Sequence, residues 1–187
     1  MQIVNIPNFL TFSRILTVTP LIWLHNEGHF LWAFGLGLFS VLTDFFDGRI
    51  ARKLNQCTYF GAILDPVADK FFEIALLSYF WHRGELPLFF LVLFSTRNIL
   101  QLSTIPVLMW WLKIPFKVEP AQIAKWGSAV PATLIMILFA KKISWLSWGE
   151  FTISPLIVIS TLIEVYMLAT FVPRYRLVLL RKHDTFN

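Results

Sequence analysis

The sequence predicts an all-α membrane protein with six transmembrane helices in a single domain, residues 1–187. Hydrophobic residues make up 57% of the chain and charged residues only 14%, whereas a soluble domain has about 25% charged residues. The apolar residues fall into six stretches that approach the ~20 residues a membrane helix requires. Disorder is excluded, because a disordered chain needs low hydrophobicity and high net charge.

The apolar stretches are bounded by residues that begin helices. Pro66, Pro87 and Pro120 stand where we expect helices to start, because a residue in the first turn needs no amide hydrogen. The first stretch is interrupted by Arg14 and Pro20. The predicted spans are residues 8–24, 30–46, 66–81, 87–112, 120–140 and 153–172.

Basic residues predict the orientation of the chain. Nine lysines and arginines fall in the connections after the second and fourth spans and in the C-terminal tail, against three on the other side. The positive-inside rule therefore places both termini in the cytoplasm. The N-terminal residues resemble neither a signal peptide nor a transit peptide, so we expect a bacterial inner membrane. His25 and His29 fall in the first outer loop, where we expect them to be solvated.

Charge and cysteine content exclude other classes of protein. The net charge is +5, but lysine and arginine form no dense stripe, so we expect no nucleic-acid partner. Cys57 is the single cysteine, which excludes an intrachain disulfide and a multi-cysteine metal site.

Carboxylates are concentrated at the end of the second span and the start of the third. Asp44 and Asp47 are three residues apart and Asp65 and Asp69 are four apart, so each pair shares one helix face. Because the connection is short, we expect antiparallel neighbouring helices whose carboxylates converge at the cytoplasmic interface. One aspartate at a helix centre costs about 2.5–3.5 kcal/mol on insertion scales, so four such residues indicate a function. Asp65 has the alternative role of a helix N-cap.

A cluster of four carboxylates needs compensating positive charge. Arg52 and Lys70 are candidates for pairing with two of them. Oxygen-only ligation suits Mg²⁺ or Mn²⁺, and Mg²⁺ takes one or two carboxylates together with phosphate oxygens. The cluster therefore predicts two divalent ions that bridge a diphosphate. Gly48 and Gly61 would let a ligand approach the backbone, although ordinary loop glycines are the alternative.

Eight residues of this region match a known motif. The segment DFFDGRIARKLNQCTYFGAILDPVADK resembles the signature D-x2-D-G-x2-A-R-x8-G-x3-D-x3-D of the CDP-alcohol phosphatidyltransferase family, without a gap. The opening NIPNFLTFSRIL and the segment DPVADK are similar to the phosphatidylglycerophosphate synthases and cardiolipin synthases of this family. The matching positions are Asp44, Asp47, Gly48, Ala51, Arg52, Gly61, Asp65 and Asp69.

The resemblance implies a reaction and a role for each matching residue. It implies a homodimer of six-helix subunits in membrane lipid, which transfers the phosphatidyl group of CDP-diacylglycerol to a small polar acceptor and releases CMP. Asp69 would be the general base, and Arg52 would contact the diphosphate. The implied metal ligands are Asp44, Asp47, Asp65 and Asp69. The implied contacts to the CDP-lipid are Gly48, Ala51, Arg52 and Gly61.

Two cations within the spans predict the acceptor. Arg97 and Lys125 are costly in a membrane unless they are paired or functional. They suit the phosphate of glycerol 3-phosphate, the acceptor we expect, or of phosphatidylglycerol in a cardiolipin-synthase-like reaction. Their alternative is an ion pair with the Asp cluster or Glu164. Arg14 either reaches for the interface or lines the site, and Glu73 either binds the acceptor or pairs with Arg97 or Lys125.

A divalent-cation carrier or channel is the alternative from another functional class, because intramembrane carboxylates also serve cation transport. Arg52 and the glycine spacing favour the enzyme, since a cation path needs neither an arginine nor a gap of nucleotide size. Metal uptake without CMP release would favour the carrier.

Overall fold

The computed structural model of the protein describes residues 6–53, 59–106, 122–143 and 149–179, and within them the side chains of residues 12–43, 66–103, 126–143, 151–173 and 175–176. These residues form six α-helices and no strand. Their number and order agree with the predicted spans. The helices are α1 (Ile6–Asn26), α2 (Phe30–Lys53), α3 (Tyr59–His82), α4 (Leu88–Pro106), α5 (Gln122–Ala140) and α6 (Gly149–Leu179).

The start of α3 differs from the prediction. We expected a helix that begins at Pro66, but α3 begins at Tyr59 and contains Pro66. A membrane helix tolerates an internal proline, because neighbouring groups can satisfy the carbonyl that proline leaves unpaired. Asp65 therefore lies inside α3 and is not a helix N-cap, the alternative to its predicted role as a metal ligand. The start of α4 at Leu88, directly after Pro87, does agree with the prediction.

Exposed and buried side chains are distributed as in a protein surrounded by lipid. Large apolar side chains face outward on all six helices, among them Trp32 at 73% exposure and Phe151 at 87%. Charged residues are almost never fully buried in soluble proteins unless they are paired. In the described part of this chain, the buried charged residues are Arg14, Glu73, Arg97 and Glu164.

One segment in the described residues, Phe151–Pro173 of α6, is long and apolar enough to cross a membrane. It has 23 residues and a mean hydropathy of 2.0. Shorter apolar segments are Phe30–Thr43, Leu88–Ser103 and Trp126–Ala140. The six membrane spans and the cytoplasmic termini therefore stay predictions.

The helices α3 and α5 are central to the packing, because each contacts three other helices. α1 packs against α2 and α3, and α3 also packs against α4 and α5. α5 contacts α2 and α6, and α4 contacts α6. The core between these helices combines aliphatic and aromatic side chains, and its fully buried phenylalanines are Phe80, Phe90, Phe94 and Phe139.

A polar cluster around His25 joins the ends of α1 and α3. We expected His25 to be solvated, but it is 1% exposed. Its Nδ1 lies 2.7 Å from the hydroxyl oxygen of Tyr79, and that hydroxyl donates to Asn26 Oδ1 at 2.7 Å. The prediction was wrong because α1 continues to Asn26, beyond the end of the apolar stretch. The rings that meet His25 edge-on are Phe30, Tyr79, Phe80 and Phe139, with centroid distances of 5.1–5.7 Å.

We predict that the protein loses stability as the pH falls below about 6.5, the ordinary pKa of histidine. Burial, reinforced by the charge of Arg83, lowers the pKa of His25; Glu85 opposes this effect and Lys142 adds to it. Below that pH the unfolded chain binds a proton that the folded protein still excludes. The free energy of unfolding therefore decreases as the pH falls toward the lowered pKa, and it is unaffected by this group at higher pH.

Thermal unfolding in detergent from about pH 8 to about pH 5 measures this dependence. His25→Gln should flatten the profile. His29→Gln changes an exposed histidine and should leave the profile as in the wild type. Equal slopes for the wild type and His25→Gln would show that another group is responsible.

Candidate active site

The backbones of α2 and α3 carry all eight motif residues. Asp44 and Asp47 lie on α2, and Asp65 and Asp69 lie on α3. Because both segments are helical, the members of each pair project within about 60° of each other around the helix axis. The side chains that lie outside the described residues, and whose roles stay predictions, are those of Asp44, Asp47, Gly48, Ala51, Arg52, Gly61 and Asp65.

Asp69 is the motif residue whose side chain is described. It is half-buried, and Arg14 on α1 donates a hydrogen bond from Nη1 to its Oδ1. Arg14 is itself only 6% exposed, so it lines the site and does not reach for the membrane interface. The sequence left both roles of Arg14 open. The sequence did contain a signal for the second role, because Arg14 is a lone arginine within an apolar stretch and a buried charge needs a partner.

The described residues show α2 and α3 packed mainly on the same helix, α1. We expected the two helices to be antiparallel neighbours near the connection between them, and that expectation stays a prediction because this region lies largely outside the described side chains. Gly37 of α2 lies against α5, because a Cβ there would lie only 3.3 Å from Met136 Sδ, whereas its 3.6 Å distance to Leu21 Cδ2 on α1 would be an ordinary contact.

Lys70, which follows Asp69 in the sequence, makes contacts with three helices. Its Nζ donates to Glu73 Oε2 on α3 at 2.6 Å and to Ser128 Oγ on α5 at 2.9 Å. The same atom lies 5.8 Å from the centroid of the Phe94 ring on α4. The structure therefore pairs Lys70 with Glu73, whereas the sequence had suggested Lys70 for the aspartates and other partners for Glu73.

Arg97 and Glu164 form a second ion pair, whose side chains are 4% and 0% exposed. Arg97 donates from Nε to Glu164 Oε2 and from Nη2 to Oε1, the latter at 3.1 Å. Arg97 Nη1 also donates to Gln101 Oε1 at 2.7 Å. The structure thus contains the ion pair that was one alternative for Arg97. The acceptor role of Arg97 stays a prediction, as does that of Lys125, whose side chain lies outside the described residues.

Gly127 lets α5 approach α6 beside this ion pair. A Cβ at this position would lie 2.5 Å from Met167 Sδ and 3.9 Å from Arg97 Nη2. A larger residue at position 127 would therefore displace the end of the Met167 side chain and extend toward the guanidinium group. The absence of a side chain therefore leaves room for Met167 on α6 beside the Arg97 guanidinium on α4.

The chemistry of the motif carboxylates fits a hard divalent cation. Four aspartates offer only oxygen ligands, which Mg²⁺ and Mn²⁺ prefer. Among the described side chains, no group of three His, Cys, Asp or Glu residues could hold a metal ion. Only one of the four motif aspartates, Asp69, has a described side chain. The two predicted divalent ions therefore stay a prediction.

A helical bundle that turns apolar residues outward and pairs its charges inside is typical of polytopic membrane proteins. The sequence profile of the CDP-alcohol phosphatidyltransferase family matches residues 4–174, which reach from α1 into α6. The chain therefore belongs to the CDP-alcohol phosphatidyltransferase family, as the motif indicated.

Named relatives fall into two groups of this family. The chain is 40% identical over 120 residues to a CDP-diacylglycerol–glycerol-3-phosphate 3-phosphatidyltransferase of Aquifex aeolicus, which is 63% of this chain and 65% of that protein. A protein of the same name from Rickettsia typhi is 46% identical over 70 residues, 35% of this chain and 39% of that protein. A cardiolipin synthase (CMP-forming) of Streptomyces coelicolor is 29% identical over 113 residues, 57% of this chain and 53% of that protein. The chain thus spans less than two thirds of the length of these relatives.

We predict that Glu164→Gln destabilises the protein. Loss of the carboxylate leaves Arg97 buried without a counter-charge, which costs on the order of 3 kcal/mol. The double variant Arg97→Met with Glu164→Leu removes both charges, so much of the lost stability should return. A double-mutant cycle that adds the single variants Arg97→Met and Glu164→Leu, with thermal unfolding in detergent, measures the coupling. Additive losses in the single and double variants would show that the two side chains do not stabilise each other.

Proposed function

We propose that this protein transfers the phosphatidyl group of CDP-diacylglycerol to the hydroxyl of glycerol 3-phosphate and releases CMP. The proposal is carried by the complete eight-residue motif on two helices, with Asp69 half-buried beside Arg14. The names of the Aquifex and Rickettsia relatives support this acceptor. A cardiolipin-synthase-like transfer to phosphatidylglycerol is the second candidate, favoured by the Streptomyces relative.

In the proposed reaction the acceptor oxygen forms a bond to the lipid-side phosphorus of the diphosphate. The bond from that phosphorus to the oxygen of CMP breaks, and Asp69 takes the proton of the acceptor hydroxyl. The hydrogen bond from Arg14 holds one carboxylate oxygen of Asp69 and so limits the orientations of the base. Orientation of reacting groups can lower a barrier by several kcal/mol.

The remaining motif residues would bind the CDP-lipid. A bound Mg²⁺ or Mn²⁺ pair would offset the negative charge of the diphosphate and of the leaving CMP. Arg52 suits phosphate oxygens because a guanidinium donates several hydrogen bonds in one plane. The small side chains proposed to admit the nucleotide are Gly48, Ala51 and Gly61. The proposed metal ligands are Asp44, Asp47, Asp65 and Asp69.

Arg97 and Lys125 are the proposed ligands of the acceptor phosphate. Arg97 would take this role by releasing its hydrogen bond to Gln101 while it keeps those to Glu164. The buried Glu164 carboxylate then stays paired, which avoids an isolated charge in the bundle.

The proposed membrane arrangement follows from the same reasoning. Six spans would place the carboxylates at the cytoplasmic interface of a bacterial inner membrane, with both termini in the cytoplasm. A homodimer is proposed from the resemblance to the family. The acyl chains of CDP-diacylglycerol would remain in lipid while the polar part reacts.

Purified protein should release CMP from labelled CDP-diacylglycerol when glycerol 3-phosphate is supplied. Parallel reactions with phosphatidylglycerol, serine and inositol identify the acceptor by its product. EDTA should stop turnover, and Mg²⁺ or Mn²⁺ should restore it. Turnover with serine or inositol and none with glycerol 3-phosphate would reject the proposed acceptor, and activity indifferent to EDTA would reject the metal ions.

We predict that replacing aspartate by asparagine at three motif positions abolishes turnover but leaves the protein folded, because the amide side chain lacks the negative charge that binds a divalent ion. These variants are Asp44→Asn, Asp47→Asn and Asp65→Asn. Asp69→Asn should retain CDP-diacylglycerol binding and lose kcat, since a base acts in the transition state. Glu27→Gln neutralises an exposed carboxylate and serves as the control. A near-normal rate in any of the three amides would remove that residue from the proposed metal site.

A further inference from the structure

Two adjacent residues of α3 make contacts in different directions. Asp69 accepts a hydrogen bond from Arg14 on α1, whereas Lys70 donates one to Ser128 on α5 at 2.9 Å. Consecutive side chains of an α-helix project about 100° apart, so the two contacts lie on different sides of α3. Together they restrict the rotation of α3 about its own axis.

The side chain of Lys70 is largely buried. Its side chain is 13% exposed, and burial of an unpaired ammonium would be costly. Glu73, 2.6 Å away, supplies the compensating charge from the same helix. Ser128 supplies neither charge nor apolar surface. The main effect of its hydrogen bond is therefore to fix where the Lys70 side chain lies relative to α5.

The Phe94 ring extends this connection to a fourth helix. Lys70 Nζ lies 5.8 Å and Arg97 Cζ 5.9 Å from its centroid. Arg97 in turn holds Glu164 on α6. A rotation of α3 would therefore disturb the contacts of Lys70 with Ser128 on α5 and with Phe94 on α4.

We propose that Lys70 is a positioning residue for Asp69: its hydrogen bond to Ser128 holds α3 in the rotation that directs Asp69 toward the acceptor hydroxyl. Lys70 itself touches no reacting atom. The inference rests on the proposed function, because it takes Asp69 as the base of that reaction.

Kinetics of four variants test the effect on catalysis. Lys70→Met keeps an apolar chain of similar length and removes the donor, so kcat should fall about 10- to 100-fold, while KM for both substrates stays within about twofold. Ser128→Ala should lower kcat in the same sense, and Ser128→Thr, which keeps the hydroxyl, should restore it. Lys142→Met makes the matched change at an exposed position and should leave kcat unchanged.

A cross-linking assay tests the position of residue 69 without catalysis. The full chain carries Cys57→Ser, Arg14→Cys and Asp69→Cys, and a short bifunctional thiol reagent joins the two new cysteines in detergent. Addition of Lys70→Met should lower the yield of the cross-linked product, because α3 then lacks the hydrogen bond that fixes its rotation toward α5. Addition of Ser128→Ala, which keeps the Lys70–Glu73 ion pair, should lower the yield in the same way. Addition of Lys142→Met should leave the yield unchanged.

Unchanged kcat together with unchanged cross-linking in the Lys70→Met background would overturn the inference. A rise in KM for either substrate would also overturn it, because Lys70 would then be a substrate ligand. If the wild type turns over no acceptor, the proposed function fails. In that case the cross-linking yield alone decides whether Lys70 orients residue 69.

Discussion

Charges inside an apolar helical bundle must be paired, and this constraint determines how the helices of this protein are arranged. The cost of an unpaired buried charge exceeds that of most packing defects. Three ion pairs meet the constraint in the described residues: Arg14 with Asp69, Lys70 with Glu73, and Arg97 with Glu164. The first joins α1 to α3 and the third joins α4 to α6. Because the two interhelical pairs, Arg14 with Asp69 and Arg97 with Glu164, each need a specific register, they select one arrangement among the many that apolar packing alone would permit.

The two ends of α3 serve different purposes. Its N-terminal half carries Asp65, Asp69 and Lys70, and its C-terminal half carries Phe80 within the buried apolar core. Aromatic packing, with Phe80 and Phe139 rings 4.9 Å apart, anchors one end of the helix. The polar end can then hold charged groups in fixed positions for the proposed reaction, since one rigid helix carries both.

Much of this arrangement was predictable from the sequence. Apolar runs predict six helices, because membrane helices need long apolar stretches. The family follows from the fixed spacing between Asp44 and Asp69. The beginning of α3 was not predictable, because Pro66 is typical of a helix start and only tertiary contacts make it tolerable inside one.

The partners of the buried charges were harder to predict. Glu164 lies 67 residues beyond Arg97, and nothing in a single sequence fixes the relative register of α4 and α6. Arg14 could be recognised as unusual, but its choice of Asp69 depends on α1 lying beside α3. Packing geometry, which sequence periodicity does not encode, decides these contacts.

Electron paramagnetic resonance of Mn²⁺ tests the central claim most directly, namely that the motif carboxylates hold the diphosphate of CDP-diacylglycerol through divalent ions. The protein in lipid nanodiscs with Mn²⁺ and CDP-diacylglycerol should show phosphorus hyperfine coupling to the bound ion. The phosphorus hyperfine coupling should be absent from the spectrum of the Asp44→Asn variant under the same conditions. Bound Mn²⁺ without phosphorus coupling in the wild type would contradict the account.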